Sequence, residues 1–313
     1  MIHSLSITWN SEGAFHLGPI TLRLYSLMFV VAFGLGWIIM KKIFDRENEP
    51  VEKLDKLFIY TLVATLLGAR LGHVFFYDWD YFSRHPEEIL LPFKFRPEFE
   101  FTGFAGLASH GAAIAIILAV IWYSKKVIHR PVLWVLDRIV IPVTCGGIFV
   151  RLGNFFNSEI LGSKTSPEMS TAVRFIRGED NLGKREAMSI TKQADVNKAY
   201  EMIEKDPRFA DTLATIPFRH PAQLYEAICY VFVFLVIFYM YWKTPSRKYH
   251  GLIFGVFLVL LWTVRFVVEF VKESQGGFEG ENPVLLTGQW LSIPFILAGL
   301  YLIFTSKKRV ETL

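Results

Sequence analysis

Little in this sequence points to soluble chemistry. Cysteine occurs twice, as Cys145 and Cys229, and both fall inside apolar runs. They read as small buried hydrophobes, not as a disulfide or a metal pair. The chain contains no H-E-x-x-H, which excludes the common metalloprotease helix, and no G-x-S-x-G, which excludes the serine-hydrolase elbow. It also lacks a glycine-rich phosphate loop and any Cys–His metal spacing, so neither a metal nor a resident cofactor is expected. The N-terminal stretch has no basic segment followed by an apolar one, so no cleavable signal peptide is expected. Internal repeats and low-complexity segments are absent. The net charge is only +4, carried in short loops between apolar runs, and no nucleic-acid partner is expected.

Apolar residues are what the chain has in excess. Of its 313 residues 52% are hydrophobic and 16% aromatic, with a mean hydropathy of +0.36, above what soluble globular chains usually reach. A helix needs about 20 mostly apolar residues to cross a bilayer. Seven stretches qualify: Leu22–Met40, Leu57–Tyr77, Gly106–Tyr123, Leu133–Phe155, Ala222–Trp242, Leu252–Val271 and Gln289–Phe304. The reading is an all-α polytopic membrane protein, a single membrane domain over residues 1–313 with seven transmembrane helices. Lysine and arginine in short loops mark the cytoplasmic side. They crowd the first, third and fifth loops and the tail, for example Lys41, Lys42, Arg46, Lys125, Lys126, Arg130, Lys243, Arg247, Lys307 and Lys308. The N-terminus is therefore expected outside and the C-terminus in the cytoplasm. The polar loop 163–218, between spans four and five, becomes a small external head region, with a helical stretch "VNKAYEMIEKD" that stops at Pro207.

Ionisable side chains inside such spans each need a reason, because one at the bilayer centre costs roughly 2.5–3.5 kcal/mol on insertion scales. With the orientation above, Arg70, His73, His110, Arg151, Glu226, Arg265 and Glu269 share the outer leaflet level, with Tyr25 beside them, while Asp137 and Arg138 sit at the inner end. Some have plain structural readings. Arg265 and Glu269 are four apart, the spacing of a helical ion pair. Arg70 has the reach to snorkel to lipid phosphates. His73 reads as a core histidine, and Asp137–Arg138 as a structural anchor. Arg151 is harder to explain away, because "RLGNFFNSE" supplies Asn154, Asn157 and Glu159 with it. In "RHPAQLYE", Pro221 suits a first helical turn, Gln223 and Glu226 share a face, and Tyr225 lies beside them. Arginine grips phosphate bidentately and keeps its proton, and a histidine exchanges one near neutral pH. Together these residues describe a lipid-handling protein acting on a phosphate ester at the outer face. An outer-leaflet phospholipid transporter or scramblase is the alternative, though such folds usually carry repeats or paired broken helices.

The motifs "LRLYSLMF", "LGARLGHVFFY", "ASHGAAIA", "VRLGNFFNSEILG", "RHPAQLYE" and "RFVVEF", in this order over nearly the whole chain, resemble those of the prolipoprotein diacylglyceryl transferases. The resemblance implies a multi-pass enzyme of the bacterial cytoplasmic (inner) membrane. Such enzymes move the diacylglyceryl group of phosphatidylglycerol to the lipobox cysteine thiol of a prolipoprotein, forming a thioether and releasing glycerol phosphate. It implies that Arg151 and Arg265 hold the phosphate, and that His110 accepts the thiol proton. Asn154 and Glu159 would shape the headgroup site, and Gly162 would close the motif. Tyr25, Gln223, Tyr225, Glu226 and Glu269 would line the same site. The partners implied are phosphatidylglycerol, a prolipoprotein signal peptide and the bilayer. The chain departs from the family pattern at Ser158, where glycine is usual before the glutamate, and at Leu161, Leu261 and Arg23.

Overall fold

The computed structural model describes residues 7–18, 20–91, 93–94, 99–101, 106, 108–178, 181–273 and 284–310. Among the described residues, seven helical segments are long and apolar enough to cross a membrane: Leu24–Arg46, Val51–Tyr77, His110–Ile128, Val132–Phe156, Ala222–Lys243, Leu252–Val271 and Thr287–Lys308. They overlie the seven expected spans. The second begins at Val51, before the expected Leu57, because Glu52, Lys53, Asp55 and Lys56 are helix-compatible but interrupt an apolar run. Side chains such as Val30, Phe33, Ile117, Leu118, Phe232 and Leu297 are exposed, whereas Arg138, Asn154, Gln223, Glu226 and Gln289 are buried. This reversal of the soluble pattern suits a lipid surround, since large exposed apolar patches are unfavourable in water.

The chain divides into two compact units, residues 40–138 and residues 1–39 with 139–313. Helices α1 (Leu24–Arg46) and α4 (Val132–Phe156) run from one unit into the other. In the first unit α2 (Val51–Tyr77) packs on α3 (Ser109–Tyr123) through glycine. A Cβ at Gly111 would fall 2.6 Å from Gly72 Cα, so only glycine permits this crossing. Arg70 does not snorkel. Its Nε donates to Ile89 O at 2.7 Å and its Nη2 to Glu88 O at 2.7 Å, and its guanidinium stacks 4.7 Å over Phe82. It ties down the loop after α2, because those carbonyls need donors that a helical ladder does not supply. His73 stacks on Tyr77 and presses on Gly106, as a core histidine does. Arg138, 1% exposed, pairs with Glu47 at 2.9 Å and lies 4.1 Å over Trp134, matching the anchor reading.

The second unit holds the membrane helices α8 (Ala222–Lys243), α9 (Leu252–Val268) and α10 (Thr287–Thr305). It also holds a small α+β body. Strands β1 (Ile7–Trp9), β4 (Val173–Phe175) and β5 (Phe218–Arg219) form a sheet in the order β1-β4-β5, with β1 parallel and β5 antiparallel to β4. A hairpin, β2 (Ala14–Leu17) with β3 (Ile20–Arg23), leads into α1. Helices α5 (Lys184–Thr191), α6 (Val196–Lys205) and α7 (Ala210–Thr215) cover a core of Ile176, Leu182, Ala187, Ala199, Tyr200, Ile203 and Ile216. Asp195 caps α6 by accepting from the amides of Asn197 and Lys198. Residues 163–218 thus have a hydrophobic core of their own. The strands escape a reading by pattern because two to four residues are too few to display alternation.

Gly111→Val is expected to destabilise the protein by about 1–3 kcal/mol, the usual range for overpacking. Gly34→Ala, at a position where a Cβ meets nothing within 4 Å, is the control. Thermal unfolding in detergent compares them, and equal midpoints would refute the tight α2–α3 crossing.

Candidate functional site

The site begins where α4 stops. Glu159 N donates to Asn154 O at 2.9 Å and Ser158 N to Phe155 O at 3.1 Å, the paired bonds that close a helix through one left-handed residue. That residue is Ser158, with φ +54°, where glycine is the usual choice. Ile160 follows with φ +55°, a conformation that β-branched residues rarely adopt. These two reversals turn Glu159 back over the helix end. Its carboxylate accepts from Asn157 Nδ2 at 3.0 Å and from Asn154 Nδ2 at 3.4 Å.

Arg151 lies one turn earlier and faces α8. Its Nε is 2.6 Å from Glu226 Oε2, with side chains 13% and 2% exposed. The contact is Coulombic rather than an aligned hydrogen bond, since Glu226 Oε2 has no hydrogen-bond partner. Arg151 Nη1 also approaches Asn154 Oδ1 at 3.4 Å. Gln223, one turn before Glu226, donates its amide to the Glu159 carbonyl. The shared face of Gln223 and Glu226 therefore serves both ends of the α4 motif. The Tyr25 ring covers Gly153, where a Cβ would meet it at 2.8 Å.

Arg265 and Glu269 come from the end of α9. No ion pair joins them among the described residues; the helical spacing allows one that is not made. Glu269 instead rests against Gly288 in the first turn of α10, where a Cβ would lie 2.7 Å from its Oε2. A helix N-terminus favours a carboxylate there. Arg265 lies 5.4 Å over Trp262, and among the described residues its buried Nε has no hydrogen-bond partner. Arg265, Arg151 and Glu226 all act electrostatically on Tyr230 and on Lys272.

Lys272 and Tyr230 are the residues that sequence reasoning missed. Lys272 follows the sixth apolar run, as an interfacial anchor would, yet only 8% of it is exposed. Burial pushes its ammonium below the ordinary lysine value, and Glu226 opposes that drop. Backbone pairing puts it there. Ser163 N donates to Val271 O at 2.9 Å, Glu273 N donates to Leu161 O at 3.3 Å, and Gly162 pairs with Lys272. On its other edge Gly162 N donates to His220 O at 3.0 Å. A Cβ on Gly162 would strike Val271 O at 2.8 Å and His220 Cβ at 2.6 Å, so the three segments close only around glycine. Arg219, 2% exposed, locks the junction by donating to Gly162 O at 3.2 Å and to Asn181 Oδ1 at 3.3 Å, and by pairing with Glu273.

One of the expected residues faces another way. Tyr225 turns to the small body, its hydroxyl 2.6 Å from Thr171 Oγ1 and 3.4 Å from His220 Nδ1. The reason is helical geometry: with Gln223 and Glu226 directed inward, the residue between them must point to another side. His110 belongs to the unit of residues 40–138, in the first turn of α3, and is exposed.

Ser158→Gly is expected to raise the unfolding midpoint, a gain of about 0.5–1 kcal/mol from relieving the left-handed conformation. Its buried hydroxyl makes no hydrogen bond that the change would lose. Ser158→Val is expected to lower the midpoint. The opposite order would contradict the helix closure described here.

The arrangement is a pair of half-buried arginines with carboxylates and amides at a helix end, suited to an anionic ester. Comparison with known proteins agrees. A family model described as prolipoprotein diacylglyceryl transferase matches residues 12–305. The chain is 37% identical over 306 residues to a phosphatidylglycerol–prolipoprotein diacylglyceryl transferase of Chloroherpeton thalassium, covering 97% of this chain and 96% of that relative. Similar relatives carrying the same name come from Tolumonas auensis, 35% identical over 301 residues with 96% and 97% covered, and Bacteroides fragilis, 36% identical over 309 residues with 97% of each covered. With its seven apolar helices, its arginine-led helix end and a match over nearly its whole length, this chain belongs to the prolipoprotein diacylglyceryl transferase family.

Proposed function

We propose that the chain transfers the diacylglyceryl group of phosphatidylglycerol to the lipobox cysteine thiol of a prolipoprotein, in the bacterial cytoplasmic membrane with its site toward the outer leaflet. The names of its relatives support the two substrates, and the lysine and arginine distribution of the loops supports the orientation. The observation that carries the reading is the buried Arg151–Glu226 pair, at 2.6 Å, in the same electrostatic neighbourhood as Arg265. No observation favours the lipid-transporter alternative.

The chemistry explains why two arginines are wanted. The thiolate sulfur attacks the terminal glycerol carbon; an S–C bond forms and the C–O bond to phosphate breaks. The electron pair stays on the phosphate oxygen, so a phosphodiester with one negative charge leaves as glycerol phosphate with two. Fixed cations stabilise the charge that develops. Arg151, oriented by Glu226 and Asn154, and Arg265, freer of partners, take that role. Glu159 and Gln223 hold the helix end in shape, Tyr25 and Glu269 line the site, and Gly162 closes it. A free thiol has a pKa of about 8.5, so its proton must be taken or its thiolate stabilised. His110 is the proposed acceptor of that proton.

Transfer of labelled diacylglycerol from phosphatidylglycerol to a lipobox peptide tests the reading. Arg151→Ala is expected to lower turnover about 10²–10³-fold, the effect of removing one fixed donor from developing charge. Normal turnover by a folded variant would retire the phosphate-holding role. His110→Gln is expected to slow turnover about 10²-fold or more, the usual loss when a general base is removed. A variant as fast as wild type would remove His110 as the base.

A further inference from the structure

Lys272 was given no role by its sequence, and the reaction above does not use it. Its surroundings demand one. A buried ammonium that lacks a hydrogen bond or an ion pair is costly, and such groups persist where a ligand completes them. Lys272 is 8% exposed, and among the described residues no hydrogen bond or ion pair to its ammonium is found. Glu226 and Glu269 act on it from α8 and from the end of α9, and Arg151 and Arg265 act on it as like charges. Of the two carboxylates, Glu226 is in contact with Arg151, and Glu269 lies at the start of α10. A second cation in this neighbourhood is also short of partners, since Arg265 Nε is buried with no acceptor. Lys272, with no ion pair among the described residues, and the unpaired Arg265 Nε, beside an arginine already balanced by a glutamate, mark a place for an anion.

We infer that Lys272 is a third phosphate-holding cation of this site, acting with Arg265 on the anionic headgroup of the lipid. The inference rests on the transferase reading and adds a residue to it. The backbone explains how a residue so far from Arg151 in sequence reaches it. Lys272 pairs with Gly162, which closes the α4 motif, and its neighbours Val271 and Glu273 bond Ser163 and Leu161. The Arg219–Glu273 pair holds the next residue. The segment is thereby built into the wall that also presents Glu159. An anion arriving there would favour the charged ammonium, which burial alone disfavours.

The experiment measures KM for phosphatidylglycerol and kcat in the peptide-transfer assay for wild type, Lys272→Met and Lys272→Arg. Inhibition by added glycerol phosphate is measured alongside. Methionine matches the length and apolar stem of lysine without its charge. Lys272→Met is expected to raise KM about tenfold or more, the loss of one charge-assisted contact, with kcat changed far less. It is also expected to weaken inhibition by glycerol phosphate to a similar degree. Lys272→Arg is expected to restore both to within a few-fold of wild type. A KM for folded Lys272→Met within twofold of wild type overturns the inference. So does failure of Lys272→Arg to improve on Lys272→Met when both unfold at the wild-type temperature, because the lysine stem alone would then be at work. If Lys272→Met does not fold, Lys272→Arg alone decides: a tenfold or greater rise in KM overturns the inference, and retention near wild type supports it. Absence of transfer by the wild-type protein would instead strike at the transferase reading.

Discussion

Everything at this site depends on keeping charge inside a medium that resists it. Arg151 and Glu226 are nearly buried, 2.6 Å apart, on two apolar helices. Separately each would be expensive in a bilayer; together they hold one another in place. The pair sets the rotation of α4 against α8. That rotation carries Asn154 and Gln223 to where Glu159 can be held, one through its side chain and one through its carbonyl. The cation is thereby ordered before any ligand arrives.

The next constraint is the backbone beyond the helix end. Two left-handed residues, Ser158 and Ile160, return the chain across α4, and this strain is sustained by bonds on both sides. Gly162 lies where segments 161–163, 218–220 and 271–273 meet, too close for any side chain. Arg219 supplies donors to this junction. A reaction that must distinguish one lipid phosphate from the surrounding ones benefits from a wall whose shape is set by backbone pairing, because flexible side chains alone would shift with each headgroup.

The unit of residues 40–138 shows charge used differently. Arg70 and Arg138 are as buried as the residues of the site, but their partners are already present: the Glu88 and Ile89 carbonyls for Arg70, and Glu47 and Trp134 for Arg138. Arg138 Nε, like Arg265 Nε, has no acceptor among the described residues, but Arg138 is neutralised by Glu47, whereas Arg265 is half-buried and makes no ion pair among those residues. An arginine neutralised within the fold maintains it, and one without an ion pair can take an anion.

Seven spans, their approximate limits and the shared face of Gln223 and Glu226 were legible because each depends on local quantities: apolar run length and the period of a helix. So was the exceptional character of "RLGNFFNSE", since its polar residues interrupt a costly environment. The short strands were not legible, because their partners are remote in sequence. The Arg265–Glu269 spacing permitted an ion pair, and the start of α10 drew Glu269 elsewhere; Tyr225 was placed beside the site and in fact faces Thr171. Lys272 was invisible for the same reason, because its burial comes from pairing with Gly162, distant along the chain. By itself the sequence determined that the chain crosses a membrane and which helices carry charge into it. Only the tertiary structure decided which charges are satisfied, because a partner contributed by another helix has no signature in local spacing.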